Sequence, residues 1–159
     1  MRAAADIRFA VPEDAAALVA IAEAAYQPYI AEMGRKPAPM VADFDAHIAQ
    51  DICLVLWLAG EVAGYAIILD RADGYWLENI AVHPAHHKKG LGTALIEAVE
   101  AFIRPKAGHY QLYTNIVMQR NARWYLALGF AQTKQVMEDG FHRLYFKKTL
   151  SQEIDEYDK

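Results

Sequence analysis

The segment His87-Lys88-Lys89-Gly90-Leu91-Gly92-Thr93 sets two glycines and two lysines where an apolar strand pattern gives way to a helical repeat. A helix N-terminus carries partial positive charge, so each lysine there costs roughly a few tenths of a kcal/mol. A bound anion reverses that sign. Backbone N–H groups at a helix start, with no Cβ at Gly90 or Gly92 to hold a ligand away, suit a pyrophosphate. A mononucleotide P-loop is excluded, since no Gly-Lys-Ser/Thr follows four residues after a first glycine, and the dinucleotide-binding spacing of three glycines is also missing.

Two further side chains have chemical potential. Glu78 is a carboxylate inside an otherwise apolar strand pattern, where desolvation raises a carboxyl pKa toward values useful to a general base. Tyr125 shares a helix stripe with Trp124 and Leu128, and periodicity by itself assigns it to the core. His83, His86 and His109 read as turn or surface histidines. Cys53, the only cysteine, sits in the apolar run 52–57, so a disulfide within the chain is impossible and an inert core thiol is expected. No metal-ligand spacing is present.

The elements that must position these groups follow from pattern and punctuation. A short strand at 7–9 leads to Pro12, a first helical position followed by Glu13 and Asp14, and Ala15, Leu18, Ala22 and Ala25 repeat at helical spacing. Pro28, Gly34, Pro37 and Pro39 break residues 27–40 into an irregular loop or broken helix, and Asp43 caps a short helix after it. Runs 52–58 and 62–69 flank Ala59-Gly60-Glu61 as a hairpin, and 75–82 is a third strand closed by Pro84. Leu91, Leu95, Ala98, Val99 and Phe102 mark a helix face ended by Pro105. Strand 109–114, helix 121–128 stopped by Gly129, and a hairpin of 131–137 with 141–148 complete the chain. This order implies an α/β protein with a mixed sheet and helices on both faces.

Length and composition bound the partners. The 159 residues suit one domain, 1–150, with a polar tail at 151–159; 55% hydrophobic and 23% charged residues are the balance of a compact fold. A formal charge of −4 argues against nucleic acid and suits a cationic substrate. The N-terminus lacks the apolar stretch of a secretion signal, and no apolar run approaches the ~20 residues of a membrane span. A cytoplasmic location is the expectation.

His87-Lys88-Lys89-Gly90-Leu91-Gly92 resembles the acyl-CoA signature of the GNAT superfamily of N-acetyltransferases, Arg/Gln-x-x-Gly-x-Gly/Ala, with His87 where the family usually has Arg or Gln. Residues 77–84 look like that family's fourth strand, and residues 124–130 like its Tyr-x-x-x-Gly-Phe ending. Met118 stands where many members place Asn, which leaves Asn115 or Asn121 to contact the pantetheine arm. The resemblance implies a mostly antiparallel sheet of about seven strands, splayed between the fourth and fifth, and acetyl-CoA as cofactor. By similarity the pantetheine lies along Ile80, Ala81 and Val82, the phosphates on His87 to Thr93, and Tyr125 protonates the departing thiolate. The implied reaction is transfer of acetyl to a primary amine of a small molecule or peptide, by direct attack in a ternary complex, with Glu78 the best base. The acceptor would enter between the 27–40 segment and the final hairpin, past Tyr26, Tyr29, Trp76, Phe141 and His142. Such rings attract a cationic acceptor by about 0.5 to 2 kcal/mol each. A non-catalytic acyl-CoA sensor or interaction module on the same fold is the alternative, and a homodimer is left open.

Overall fold

In the computed structural model, residues 5–151 are described; residues 1–4 and most of the expected polar tail, 152–159, lie outside them. Strand β3 (Glu61–Arg71) decides the layering. Ala66 and Ile68 pack with Leu95 and Val99 on one side, and Tyr65, Ile67 and Leu69 pack with Leu18, Ile21 and Phe44 on the other. Successive side chains of a strand point to opposite faces, so a strand apolar at every position must lie between two helix layers. One layer is α4 (Leu91–Ile103) with α5 (Gln119–Ala127). The other is α1 (Ala15–Tyr26) with α3 (Phe44–Gln50), whose N-cap Asp43 accepts from the Ala46 N–H at 3.1 Å.

Around β3 run β1 (Ala5–Phe9), β2 (Ile52–Leu58), β4 (Gly74–Val82), β5 (His109–Asn115), β6 (Ala131–Glu138) and β7 (Phe141–Thr149). They form one seven-stranded sheet in the order β1-β2-β3-β4-β5-β7-β6. Every neighbouring pair is antiparallel except β4 and β5, which are parallel and need the crossover that α4 supplies. Only Trp76 and Gln111 are in register between those two strands, and beyond them the strands part. The expected fold, with its splay between the fourth and fifth strands, is the one observed.

A bulge aims the middle of β4. Against β3, Ile67 pairs with Asn79 and Ile68 with Leu77, so Glu78 is the extra residue. The consequence is visible in the core: Leu77 and Ile80 face the same layer although three residues apart, while Trp76 and Ala81 face the other. A regular strand would have put Trp76, Glu78 and Ile80 on one face.

Residues 27–40 do form a broken helix. A 3₁₀ turn (Gln27–Tyr29) runs into α2 (Ile30–Met33), Gly34 stops it in the left-handed region at φ 70°, and a second 3₁₀ turn follows at Ala38–Val41. Helix α5 begins at Gln119, two residues earlier than the pattern predicts. Cys53 is buried, and burial pushes its thiol up to about 12, away from the thiolate form. Among the described residues no helix is long and apolar enough to cross a membrane.

Candidate active site

The start of α4 forms one wall of a groove of about 450 Å³. Gly90 caps the helix at φ 73°, and Lys88, two residues earlier, also takes the left-handed region at φ 66°, which a residue with a Cβ adopts only when its surroundings enforce it. No side chain caps the helix, so its first N–H groups face outward unpaired by any cap. Of the residues expected to hold a donor, His87, Lys88 and residues 90–93 line this wall, and Ile80, Ala81 and Val82 line the opposite one. Asn121, Arg120 and Trp124 of α5 close the far side, the last two unforeseen. Lys89 is not part of the lining, its Nζ lying 3.2 Å from Nδ1 of His86, which is. The glycine at 92 also has a packing consequence: a Cβ there would lie 3.2 Å from the Trp124 ring, which would have to give by a few tenths of an ångström.

Strand parity shows what β4 offers to the groove. The His83 N–H donates to the Ala63 carbonyl at 2.8 Å, so His83 and Ala81 turn their backbone groups to β3, and Ile80 and Val82 turn theirs to the open side. Both open-side carbonyls are occupied. The Tyr26 hydroxyl donates to Ile80 O at 2.9 Å, and His87 Nε2 lies 3.2 Å from Val82 O. His87 therefore ties its loop to the strand, a role the motif does not reveal.

The groove runs into a second, narrower cleft of about 40 Å³, with Tyr26, Ile80 and Asn121 lining both. Glu78 reaches this cleft from the bulge, and its Oε1 accepts from the Tyr113 hydroxyl at 3.1 Å. Burial holds the Glu78 carboxyl above its ordinary pKa, opposed by that hydrogen bond. Tyr125 lines the same cleft, 6% exposed, its ring against Trp124, Phe130 and Phe146. Its hydroxyl makes no hydrogen bond among the described residues, and burial raises its pKa, keeping it protonated. Asn79 ties the cleft floor together: Oδ1 accepts from Tyr65 at 2.8 Å and Nδ2 donates to Pro39 O at 3.2 Å. Arg35 bridges the 27–40 segment to the final hairpin, 3.9 Å over the Phe141 ring and donating to Asp139 O at 3.2 Å.

The expected acceptor wall is only partly assembled. Phe141 lines the narrow cleft, while Tyr29 lines the wider groove instead. Tyr26 is buried with its hydroxyl engaged at Ile80. Trp76 lies outside both linings, its Nε1 donating to Asp73 at 2.8 Å, but the Glu78 bulge sets it on the face of Tyr113 and Tyr145, with its ring edge-on to that of Tyr145 at 5.9 Å. His142 pairs with Gln135 on an exposed face, 3.1 Å away. Asn115 lines the narrow cleft rather than the groove, and its Oδ1 accepts from the Val117 N–H at 3.0 Å. His83 accepts from the Ala85 N–H, and His86 sits beside Glu61 at the groove. Sequence reasoning missed Tyr113 and Arg143, both in the narrow cleft. The parity that sets Phe141 there also sets Arg143 there, but that signal needs the strand pairing to be known. Among the described residues no cluster of His, Cys, Asp or Glu could hold a metal.

Comparison with known proteins agrees with this geometry. The Acetyltransferase (GNAT) domain family matches residues 49–132, over half of the chain. No curated protein sequence gives a significant match. A GCN5-related N-acetyltransferase from Rhodopseudomonas palustris superposes with a TM-score of 0.76 at 22% identity, over 94% of this chain and 98% of that one. The PaiA N-acetyltransferase of Thermoplasma acidophilum, solved with coenzyme A, gives 0.73 at 17% identity over 92% and 99%. The ribosomal-protein-S18-alanine N-acetyltransferase of Escherichia coli gives 0.70 at 18% identity over 96% and 98%. With a family match over more than half its length, this chain belongs to the GNAT acetyltransferase domain family.

Proposed function

We propose that this protein is an N-acetyltransferase that moves the acetyl group of acetyl-CoA onto a primary amine of a small molecule or peptide, by direct attack in a ternary complex. The observation that carries the reading is the junction at Ile80. A groove beginning at an uncapped helix start runs along an open strand edge into a cleft holding Glu78 and Tyr125.

The residues present fit the cofactor. Unpaired N–H groups at the start of α4, with Lys88 and Arg120 beside them, suit a pyrophosphate. The Ile80 and Val82 N–H groups, on the open edge beside their own capped carbonyls, suit the amide oxygens of a pantetheine arm. Acetyl-CoA supplies an acetyl group activated as a thioester; the chain supplies the rest. Glu78, its carboxyl raised by burial, takes the proton of an alkylammonium of ordinary pKa about 10.4. The freed nitrogen forms the new C–N bond as the C–S bond breaks, edge N–H donors stabilise charge on the carbonyl oxygen, and Tyr125 gives its proton to the departing sulfur. The second proton shed by the acylated nitrogen returns to the Tyr125 phenolate, directly or through solvent, and Glu78 releases its proton to solvent, so that one proton leaves per turnover.

The test is thiol release from acetyl-CoA over a panel of amines, alongside a thermal-shift titration. A ligand at a hundred times its dissociation constant adds about 2.7 kcal/mol to the folded state. A rise in melting temperature with turnover of some amine supports the reading. Binding without turnover of any amine points to the non-catalytic sensor, and absence of binding at millimolar acetyl-CoA removes both.

A further inference from the structure

We propose that the acceptor carries a carboxylate beside its amine, and that Arg143 holds that carboxylate; this rests on the acetyl-transfer reading above. Arg143 stands on β7 and is 9% exposed, yet its guanidinium makes no hydrogen bond among the described residues. Its acidic neighbours are Glu138 at 3.9 Å and Asp139 at 3.7 Å, beyond hydrogen-bond length, and Asp139 is 82% exposed. They balance charge without occupying the donors.

A guanidinium stays charged and presents five N–H donors in a planar fork, a shape that matches a carboxylate through two parallel hydrogen bonds. The guanidinium stands on the cleft wall with its donors not taken by protein hydrogen bonds, which leaves them available to an anion that enters. Its plane is held by the Tyr113 ring at 4.5 Å and the Phe141 ring at 5.0 Å. Tyr113 also donates to Glu78, so one aromatic ring carries the carboxylate base at its hydroxyl and the guanidinium over its face. The cleft is thus dipolar, with Glu78 suited to an ammonium group and Arg143 to a carboxylate. Together these features describe a free amino acid.

The experiment compares matched acceptors that differ only in the carboxylate: lysine with cadaverine, phenylalanine with phenethylamine, alanine with ethylamine. The wild-type protein is expected to favour the carboxylate-bearing member of at least one pair by about tenfold or more in kcat/KM, as a site with a dedicated polar partner does. Arg143→Gln is expected to raise KM for that amino acid by about ten- to a hundredfold with a smaller change in kcat, erasing the preference. Arg143→Lys, which keeps the charge and loses the fork, should fall between the two. An acetyl-CoA thermal shift reports whether each variant is folded, and if Arg143→Gln is not, the lysine variant and the wild-type panel decide. Turnover of amines with no carboxylate preference, or a preference unchanged in the variants, overturns this proposal while leaving acetyl transfer standing. Absence of acetyl-CoA binding, or of turnover with every amine, overturns the acetyl-transfer reading and this one with it.

Discussion

The groove and the cleft that meet at Ile80 are made of different material. The groove is built around backbone, the first N–H groups of α4 and the open edge of β4, all within residues 80–93, with the Lys88 and Arg120 side chains beside them. The cleft takes its polar groups from side chains that the fold gathers from far apart. Glu78 and Tyr113 are 35 residues apart, and Arg35 reaches Asp139 across 104. A backbone-built site tolerates changes of side chain as long as the chain path holds, whereas a side-chain-built site changes with each substitution. One scaffold can thus keep its donor while its acceptor varies.

Substitutions that break this contrast begin with the largest effect. Tyr125→Phe should keep acetyl-CoA affinity within a few-fold yet lower kcat by the ~10²- to 10⁴-fold typical of losing a general acid. Steady-state transfer and calorimetric binding on both proteins check it, and a normal kcat returns Tyr125 to the core. Glu78→Gln should lower kcat by about 10²- to 10³-fold. In the wild type, activity should fall on the acid side at a pH above the usual carboxylate range, because Glu78 must be unprotonated to act. The same shift fixes a stability outcome. A folded-state carboxyl pKa raised by burial means stability is lost as pH rises from the unfolded value, about 4.3, through the folded one. Glu78→Gln should therefore melt higher than wild type at pH 7 and gain nothing below pH about 4. A melting temperature lowered at neutral pH would contradict the burial argument.

On the groove side, Gly92→Asp puts a negative charge beside the uncapped helix start and should remove the acetyl-CoA stabilisation, about 2.7 kcal/mol at a hundred times the dissociation constant. Because a Cβ at 92 also crowds Trp124, Gly92→Ala is the control that separates packing from charge. If alanine alone abolishes the shift, the close approach of α4 to α5 governs binding. The smallest effect belongs to His87→Ala, which uncaps the Val82 carbonyl and should weaken acetyl-CoA roughly three- to tenfold, the worth of one ordinary hydrogen bond. An unchanged dissociation constant would show that the His87 contact contributes nothing to the groove.

What the sequence discloses follows the same division. The stripe Leu91, Leu95 and Val99, the left-handed glycines and the turn residues of the hairpins are local signals, and the elements they predict are present. The splay came only from resemblance, since no local pattern tells a strand that its neighbour will leave it after Trp76. The narrow cleft was half legible. Glu78 and Tyr125 were marked by an apolar context and a motif, but Tyr113 and Arg143 become cleft residues only through the β5–β7 pairing. Trp76, named for its ring alone, packs edge-on to Tyr145 beside the cleft without lining it, a placement that needs the β4–β5 register to be known.

The carbonyl caps on β4 have a consequence for solubility. A strand edge left open in the middle of a sheet is a template for any extended segment, from this chain or another, and such edges nucleate aggregates. An added strand needs donors and acceptors in alternation. At Ile80 and Val82 the acceptors are already taken by Tyr26 and His87, so the edge can grip a guest that brings oxygens but gives an intruding strand nowhere to place its N–H groups. Removing the two caps together, as Tyr26→Phe with His87→Ala, should raise the tendency of the cofactor-free protein to self-associate, measured by light scattering on incubation, and an unchanged tendency would show that the opening is guarded by other means.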